Sequence, residues 1–498
     1  MRLRSVAVLG GGPGGLWTAR LLKLRMPDCR IRVVEQTEPA HTFGFGVGLA
    51  TRTQRNLRAA DPATLAGILA VARAHVMVMV VGGRAVALPA DNLIAVGRAR
   101  LLDVLRQQAQ HVGVEIAYGE RGCATELAAE ADLVIAADGV SSATREGIPE
   151  LGSSVTTADG LYLWAGTDVA LPAALFAPAT TEHGTFTAHA YPYAADRSTF
   201  LVETDEQTWR RAGFDVTTER TPSDRDDQAA LDYLTAAFAP HLLGHRLIGN
   251  RTRWLRFRTV TCTRWHHRNV VLLGDAVHTA HYSIGSGTKL AMEDGIALVD
   301  ALGEATDLEA ALAAYESVRR PAVEHLQATA ARSMRWWDSF PARLDLPVER
   351  LWVAYMTRAG KVTLDRFGAS APDVVRAALA SWAGCPVKHV PAVGLGNWVL
   401  ARAEKPCADL PQVRVEVEEA WGSAADALVR EVGGGGPVEL VSADDQASVL
   451  TMLDVGERLR REMGATVVAR VPAMFQDLAA TALVSGRADR VRLTEAAM

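Results

Sequence analysis

Residues 5–25, SVAVLGGGPGGLWTARLLKLR, decide the fold of the first part of the chain. The apolar run Ser5 to Leu9 predicts a buried strand of a parallel sheet, and residues 14–25 predict a helix. Between them, glycines occupy the three fixed places of the GxGxxG fingerprint, which are Gly10, Gly12 and Gly15. The first glycine permits a tight turn, the second lets the backbone approach a pyrophosphate, and the third lets the helix pack closely on the strand. We therefore expect a dinucleotide at this turn, with Pro13 and Gly14 also in contact with it.

A second strand and an acidic residue follow the predicted helix. Ile31 to Val34 predict the strand, and Glu35 closes it about 20 residues after the last glycine of the fingerprint. A carboxylate at this place can accept hydrogen bonds from an adenosine ribose. It does not favour a ribose 2′-phosphate, so FAD and NAD both remain open as ligands. The alternative is a glycine-rich loop that binds no ligand.

Three further segments bear on the choice between FAD and NAD. The strand ADLVIA at 131–136 is followed by Asp138-Gly139, and the strand VVLLG at 270–274 is followed by Asp275. Arg98 begins a predicted helix with the pattern RxxLxxxL. A carboxylate at a strand end can accept hydrogen bonds from hydroxyl groups, and an arginine can neutralise a phosphate. Each segment alone is a common turn or helix pattern, but all three in this order after GxGxxG are a strong signal for FAD.

In this order the motifs make the chain resemble the FAD-dependent aromatic hydroxylases of the para-hydroxybenzoate hydroxylase type. The resemblance implies that Asp138 and Gly139 lie near both FAD and NAD(P)H. It implies that the aspartate of the pair Gly274-Asp275 binds the ribityl hydroxyls of FAD. It also implies that Arg98 meets the FAD pyrophosphate.

Residues 274–295, GDAVHTAHYSIGSGTKLAMEDG, refine this resemblance. The family carries a proline before the glycines that cradle the flavin ring, and that proline is absent here. The glycines remain, and Gly285, Gly287 and Thr288 are the expected cradle. The stretch is similar to a subgroup that includes salicylyl-CoA 5-hydroxylase, anthraniloyl-CoA monooxygenase and the tryptophan hydroxylase of violacein biosynthesis. The similarity to this subgroup covers roughly residues 3–370.

The resemblance implies hydroxylation of an aromatic ring. NADH or NADPH reduces the FAD, O2 adds to give a flavin hydroperoxide, and this species transfers oxygen to an electron-rich ring. The expected substrates are small salicyl-, anthraniloyl- or indole-like aromatics, either free or bound as a CoA or carrier-protein thioester. The cofactor carries out the oxygen transfer, while the protein orients the substrate and provides a pocket that excludes water. The alternative is a non-catalytic or differently acting flavin-binding protein, which would show no substrate-stimulated oxidation of NAD(P)H.

The predicted fold class is α/β, with a Rossmann-like FAD-binding domain interleaved with a mixed β-sheet substrate domain, plus a small α/β C-terminal domain. Short aromatic and β-branched runs in the middle third, at 161–167, 185–193 and 198–204, predict the antiparallel or mixed sheet. We expect residues 1–380 to form the monooxygenase unit and residues 381–498 to form the small domain. The expected FAD-binding segments are 1–75, 96–150 and 265–380, and the expected substrate-binding segments are 76–95 and 151–264.

The last block of the chain shows a separate strand–helix alternation. Strand patterns at 437–442 and 465–471 alternate with helix patterns at 445–463 and 473–486. Residues 455–491 are similar to the last strand–helix units of an Old Yellow Enzyme-like barrel, which follows the hydroxylase in CoA-type relatives. An eight-stranded barrel needs about 200 residues or more. We therefore expect a barrel remnant that binds no cofactor.

The expected catalytic and pocket residues come from one strand and one loop. His189 and Tyr191 alternate along a strand, so their side chains point to one face, which is either the substrate pocket or an aromatic face packed on a helix. His281 precedes the expected flavin cradle and could relay the substrate hydroxyl proton, because the pKa of histidine is near neutral. The alternative is that His281 only fixes the loop by hydrogen bonding. The remaining expected pocket residues are Phe45, Trp164 and Tyr282.

Composition narrows the remaining possibilities. The net charge of −5 argues against a general nucleic-acid binder. The five cysteines are scattered and form no CxxC pair or Cys/His cluster, so we predict reduced thiols, no metal site and a cytoplasmic location. No apolar run reaches the roughly 18 residues that cross a bilayer, and the first strand pattern begins too early for a preceding signal peptide. We expect a protein that uses O2 and a small aromatic substrate, has no membrane or nucleic-acid partner, and is a monomer or homodimer.

Overall fold

The computed structural model describes residues 3–38, 44–89, 93–285, 287–403, 405, 410–434 and 436–495. The chain forms two compact units. The first consists of Met1–Met77 and Ala90–Met334, and the second of Val78–Pro89 and Arg335–Met498. The predicted assignment of segments to FAD-binding, substrate-binding and C-terminal domains stays a prediction.

A six-stranded sheet organises the first unit. Its central strand, Ser5–Leu9, pairs in parallel with Arg30–Glu35 on one side and Leu133–Ala136 on the other. The apolar side chains of the central strand are buried, as expected for a strand covered on both faces. In spatial order the six strands are His266–His267, Val270–Leu272, Leu133–Ala136, Ser5–Leu9, Arg30–Glu35 and Glu115–Tyr118. Three of these strands end just before the glycine turn, Asp138 and Asp275, respectively. Because the three strands are parallel, their carboxyl ends lie along one edge of the sheet.

Three helices pack together beside this sheet. The helix Pro13–Arg25 contacts both Arg98–His111 and Gly287–Glu304. The indole Nε1 of Trp17, which is fully buried, donates to the carbonyl of Met292 at 3.0 Å and joins the first of these helices to the last. The helix that begins with the glycine turn is therefore held against the helix that follows the predicted flavin cradle.

A second sheet in the first unit is antiparallel, and helices cover one of its faces. In spatial order its strands are Leu247–Ile248, Ser153–Thr167, Ser198–Thr204, Gly184–Pro192 and Ala174–Thr181, and Trp254–Cys262 also pairs with Ser153–Thr167. One face carries apolar side chains, including Leu163, Phe186 and Phe200, that pack on Phe214, Leu234 and Phe238 of the covering helices. Those helices are Glu206–Arg211, Phe214–Arg220 and Gln228–Ala237. The opposite face, here called the polar face, carries Tyr162, Trp164, His189, Tyr191 and Glu203.

Smaller elements complete the first unit. A three-stranded sheet contains Gly46–Leu49, Ile94–Gly97 and Arg73–Ala74. The other helices are Thr51–Ala60, Pro62–Val71, Ala124–Glu130, Ala143–Gly147 and Leu308–Asp338, the last of which ends in the second unit.

The second unit contains a four-stranded parallel sheet. Its strands follow in the order of the sequence: Gln412–Arg414, Pro437–Val441, Thr466–Pro472 and Arg490–Thr494. The helices Ser423–Val432, Gln446–Met463 and Gln476–Ser485 connect them, which confirms the predicted strand–helix alternation. This sequential order is the arrangement that consecutive β–α units of a parallel barrel have.

The rest of the second unit is helical apart from one hairpin. The helices are Val348–Thr357, Leu364–Ser370, Pro372–Ala383 and Leu395–Arg402, and the hairpin joins Met77–Val81 to Arg84–Ala87. Inside this unit Arg343 and Glu457 form a buried bidentate ion pair, with the shorter N···O distance 2.7 Å.

The predicted α/β fold class is confirmed, because a parallel sheet, an antiparallel sheet and a separate strand–helix unit are all present. The predicted strands at 5–9, 161–167 and 198–204 lie within observed strands, as does most of 185–193. Within the described ranges, the chain has no helix that combines the length and the apolar character needed to span a membrane.

Candidate active site

The three fingerprint glycines have two different structural roles. Gly10 has φ of 97°, and a Cβ there would lie 2.3 Å from the carbonyl oxygen of Ala137. A Cβ at Gly15 would lie 2.0 Å from the carbonyl oxygen of Gly10. At Gly12, by contrast, no other described residue comes within 4 Å of an added Cβ. Gly10 and Gly15 are therefore required by the protein's own packing, whereas Gly12 borders open space.

The neighbours of Gly12 start the first helix. Gly12 is the N-cap and Pro13 is the first helical residue, so the free N–H groups of this turn face the same open space. A Cβ at Gly14 would lie 2.8 Å from Cδ2 of Leu273, which places Gly14 against the strand end that precedes Asp275. Gly14 is thus needed for close packing of the helix.

Glu35 is hydrogen-bonded to the glycine turn. Its Oε2 accepts from the backbone N–H of Gly11 at 2.6 Å, and its Oε1 accepts from the backbone N–H of Thr37 at 2.8 Å. Oε1 also accepts from the hydroxyl of Thr37, whereas Oε2 keeps a second lone pair available to a ligand hydroxyl. The side chain therefore supports the turn and can also accept hydrogen bonds from a ribose.

Asp138 and Gly139 lie next to the same turn. The Oδ2 of Asp138 accepts from the backbone N–H of Thr144 at 3.1 Å. Its Oδ1 is buried, and no described residue offers it a hydrogen bond. Gly139 has φ of 81°, and the space where its Cβ would stand contains no atom of the described chain. A buried acceptor beside open space is what a ligand donor group would satisfy.

The turn at Gly274-Asp275 is held from below by a buried ion network. Asp294, which is fully buried, accepts from the backbone N–H of Gly274 at 3.1 Å and lies 2.8 Å from Nε2 of His278. The Nε of Arg319 donates to the other oxygen of Asp294 at 2.8 Å. Both partners keep the pKa of Asp294 below its ordinary value despite burial. This network fixes the backbone that presents Asp275.

Asp275 and Arg98 lie close enough for their charges to interact. The side chain of Asp275 is exposed to solvent but surrounded by protein, and this partial desolvation raises its pKa against the charges of His278 and Arg98. Desolvation lowers the pKa of Arg98, and the charge of Asp275 opposes that change. An acceptor and a cation are therefore near each other, as a ligand with hydroxyl and phosphate groups requires.

The predicted flavin cradle lies on the same side. Gly285 has φ of 60°, and an added Cβ there would meet no atom among the described residues within 4 Å. A Cβ at Gly287 would lie 4.0 Å from Oδ1 of Asp275. Thr288 is in the first turn of the helix Gly287–Glu304. The cradle residues therefore border Asp275 and open space.

The loop between Asp275 and the cradle contacts the polar face of the second sheet. The rings of Tyr282 and Tyr162 make an edge contact with centroids 5.0 Å apart. Phe257 makes edge contacts with Tyr282 and with His281, at 6.0 and 4.9 Å. The covering helices pack on the opposite face of this sheet.

Glu203 lies at the centre of the polar face, and sequence reasoning did not select it. Its Oε2 is 3.0 Å from Nε2 of His189, and the two side chains are only 12% and 11% exposed. Burial raises the pKa of Glu203, but the contact with His189 and the hydrogen bond from the Tyr282 hydroxyl outweigh burial and hold the pKa below its ordinary value, so the carboxylate is ionised. The available signal was a single glutamate in the otherwise uncharged strand Ser198–Thr204.

His281 is buried and neutral. Its Nδ1 accepts from the backbone N–H of Ser283 at 3.3 Å and lies 2.9 Å from Oγ of the same serine. Burial lowers the pKa of His281 to about 4, against the charge of Glu203. The Nδ1 of His281 is therefore engaged by the loop residue Ser283.

The other predicted pocket residues have specific partners. The hydroxyl of Tyr191 donates to the carbonyl of Gly46 at 2.8 Å, and burial raises its pKa. The indole Nε1 of Trp164 donates to Oγ1 of Thr199 at 2.8 Å. Phe45 is buried against Gly166, where a Cβ would come within 2.4 Å of its ring. These contacts place Phe45, Trp164 and Tyr191 around the polar face.

Comparison with known proteins identifies the family. A family model described as an FAD binding domain matches residues 87–330. Salicyloyl-CoA 5-hydroxylase from a Streptomyces species is 39% identical over 338 residues, covering 67% of this chain and 65% of the relative. The 3-hydroxy-4-methyl-anthranilyl-[aryl-carrier protein] 5-monooxygenase of Streptosporangium sibiricum is 38% identical over 364 residues, covering 72% of this chain and 95% of the relative.

The chain belongs to the FAD-dependent aromatic monooxygenases. A crystal structure of 2-methyl-3-hydroxypyridine-5-carboxylic acid oxygenase matches the fold with a TM-score of 0.55 at 18% identity, over 72% of this chain and 96% of that one. The predicted family and the predicted FAD cofactor are confirmed. The chain spans 65% of the length of the salicyloyl-CoA relative, so the activity and substrate of that protein are not transferred whole.

The residues of this monooxygenase fit FAD. An added Cβ at Gly12, Gly139 or Gly285 would meet no atom of the described residues within 4 Å. The buried Oδ1 of Asp138 has no hydrogen-bond partner among the described residues, and the charges of Arg98 and Asp275 interact. A dinucleotide has the hydroxyl donors and the phosphates that these groups require. Among the residues that the structure describes, no cluster of His, Cys, Asp and Glu is arranged to hold a metal ion.

Two positioning groups of this monooxygenase were not selected from the sequence. One is the network of Asp294 and Arg319 beneath Gly274. The other is Arg145, which is 2% exposed and donates to the carbonyls of Ala276 and Val140 at 2.9 Å, so it ties the two turn motifs together. Both carry charges in buried places, but a single sequence does not show which charges are buried.

Proposed function

We propose that this monooxygenase uses NADH or NADPH and O2 to hydroxylate a small electron-rich aromatic ring that carries a hydroxyl or amino group. The ring is salicyl-, anthraniloyl- or indole-like and is presented as a CoA or carrier-protein thioester. Two relatives that are 39% and 38% identical have names that state a CoA thioester and an aryl-carrier-protein thioester, which supports this substrate class.

One observation carries the proposal: the loop that leaves Asp275 lies on the polar face of the second sheet through Tyr282 and Tyr162. The cradle expected to hold the flavin ring and the face expected to hold the substrate ring are therefore adjacent. A reaction between a bound flavin and an aromatic ring requires this proximity.

The cofactor supplies one part of the chemistry: FAD reduced by NAD(P)H activates O2 so that one oxygen atom can be transferred to the ring. The protein supplies the rest. We propose that Glu35 holds the adenosine ribose, that Gly12 and Arg98 hold the pyrophosphate, and that Asp275 holds the ribityl hydroxyls. Gly285, with Gly287 and Thr288, borders the flavin ring.

The polar face orients the ring and excludes water. Trp164, Tyr162 and Phe45 provide aromatic surface around it, and Tyr191 fixes the backbone at Gly46. His281 has its Nδ1 bound to Ser283, which leaves Nε2 for contact with the substrate. His189 pairs with Glu203 and keeps that carboxylate in place.

The test is oxidation of NADH and NADPH by FAD-loaded protein over a panel of aromatic compounds. The panel contains salicylate, anthranilate, tryptophan and the CoA thioesters of salicylate and anthranilate. We expect a thioester to accelerate oxidation and to gain one oxygen atom by mass. Retention of FAD without stimulated oxidation by any member would contradict the proposal and favour the alternative of a flavin-binding protein without this activity.

A further inference from the structure

The buried carboxylate of Glu203 has no assigned task in FAD binding, because it lies on the polar face beside Tyr162 and His189. Its Oε2 is engaged by His189 at 3.0 Å. Its Oε1 is shielded from solvent, and the neighbouring donor to this carboxylate is the Tyr282 hydroxyl. An ionised oxygen without a full set of donors is unfavourable unless a ligand supplies one.

The groups around Glu203 supply little positive charge. His281 is neutral near pH 7, since burial lowers its pKa to about 4. The Tyr282 hydroxyl faces the carboxylate and is a neutral donor. His189 balances the carboxylate only when it is protonated. The charge of Glu203 is therefore uncompensated whenever His189 is neutral.

We propose that Glu203 determines which aromatic compounds this site accepts. Its carboxylate accepts a hydrogen bond from the hydroxyl or amino group on the substrate ring, and its charge repels a ring that carries a free carboxylate. The proposal rests on the proposed function and adds the residue that selects the substrate.

The selection has two physical parts. A ring donor that reaches Oε1 replaces the Tyr282 hydroxyl as the neighbouring hydrogen-bonding group and gains a charge-assisted hydrogen bond. A second carboxylate about 6 Å from a buried one is disfavoured by roughly 10- to 100-fold in affinity at an effective dielectric constant of about 20. A neutral acyl group such as a thioester avoids this repulsion.

The experiment measures dissociation constants through the ligand-induced change in flavin absorption of the FAD-loaded protein, without NAD(P)H. The probes are anthranilate and the N-acetylcysteamine thioesters of anthranilic and benzoic acids. The wild-type protein is expected to bind the anthraniloyl thioester at least about 10-fold more tightly than either anthranilate or the benzoyl thioester.

The variant Glu203→Gln keeps the shape and removes the charge. We expect it to lower the preference for the anthraniloyl thioester over anthranilate by about 10-fold or more, whereas a purely structural role would weaken both ligands equally. Glu206→Gln is the matched control, because Glu206 is three positions further on and its side chain is 43% exposed. Glu203→Asp retains the charge and should retain the discrimination against anthranilate.

Equal binding of the acid and the thioester by wild-type protein would overturn the proposal without any variant, as would failure of all thioesters to bind. An unchanged preference in Glu203→Gln would also overturn it. Failure of the proposed function gives a different result: the thioester binds with a Glu203-dependent preference, but no oxygen atom is inserted when NAD(P)H and O2 are added.

Discussion

Asp275 and Glu203 are both carboxylates of the candidate site, but their surroundings assign them different tasks. Asp275 is exposed, and its charge interacts with that of Arg98. Glu203 is 12% exposed and paired with His189. The first is suited to the polar hydroxyl groups of a cofactor, and the second to a smaller ligand that must be desolvated to reach it.

We predict that Asp275→Ala abolishes retention of FAD. The substitution removes the acceptor at the end of the strand that is expected to bind the ribityl hydroxyls. The measurement is the ratio of flavin to protein absorbance after gel filtration. Asp300→Ala, on the exposed side of the following helix, is the control, and a full flavin spectrum in Asp275→Ala would remove this assignment.

His281 allows a test that separates loop fixing from proton transfer. The Nδ1 of His281 accepts from Ser283, and its pKa of about 4 makes it a weak base. We predict that His281→Ala retains FAD but yields less hydroxylated product for each NAD(P)H consumed, and that His281→Asn, which keeps an acceptor for Ser283, loses less. The measurement is product formed per NAD(P)H oxidised. Equal losses in both variants would instead support proton transfer through His281.

At the scale of elements, the turn before the helix Pro13–Arg25 shows why the sequence was informative. Gly15 is required by the backbone of Gly10, and Gly10 by the backbone at the end of the neighbouring strand. These neighbours are parts of the same turn motif, so the fingerprint alone predicts the two roles. The polar face was less predictable. Strand alternation groups His189 with Tyr191, but only packing shows that the helices cover the other face of that sheet.

The glycine turn supplies a paired prediction. Gly15→Ala places a Cβ 2.0 Å from the carbonyl oxygen of Gly10, so we expect the FAD-free protein to be destabilised by about 3 kcal/mol or more. Gly12→Ala meets no described atom within 4 Å, so we expect an unchanged Tm without FAD but weaker FAD binding. Thermal unfolding of the FAD-free variants and FAD titration measure the two effects. Full FAD affinity in Gly12→Ala would show that the open space is not the cofactor path.

For the molecule as a whole, buried histidine links stability to pH. His281 takes up a proton near pH 6.5 in the unfolded chain but only near pH 4 in the folded one. Between these pH values the unfolded state binds more protons than the folded state. The contribution of His281 to stability is therefore complete above about pH 6.5 and is lost as the pH falls towards 4. The full loss is about 3 kcal/mol, of which about 2 kcal/mol falls between pH 7 and pH 5.

This linkage predicts a difference between two proteins. Between pH 7 and pH 5, the wild-type free energy of unfolding should fall about 2 kcal/mol more than that of His281→Asn. Urea unfolding at the two pH values measures it. Burial also lowers the pKa of His75 and His241, but both proteins retain those groups, so the difference isolates His281. If the free energy of unfolding falls equally in the two proteins between pH 7 and pH 5, His281 is not buried as a neutral ring.

The sequence by itself determined the parallel sheet, the FAD turn and the order of the motifs, because each depends on local spacing: a strand, three glycines and an acid at fixed offsets. It also determined the strand–helix alternation of the last block. Only the tertiary structure decided that Glu203 meets His281 and Tyr282, which are 78 and 79 residues later in the chain. It likewise decided that Asp294 and Arg319 support Gly274. Burial and charge pairing arise when elements that are distant in the chain pack together. The sequence of a single strand or helix does not show which element it will pack against.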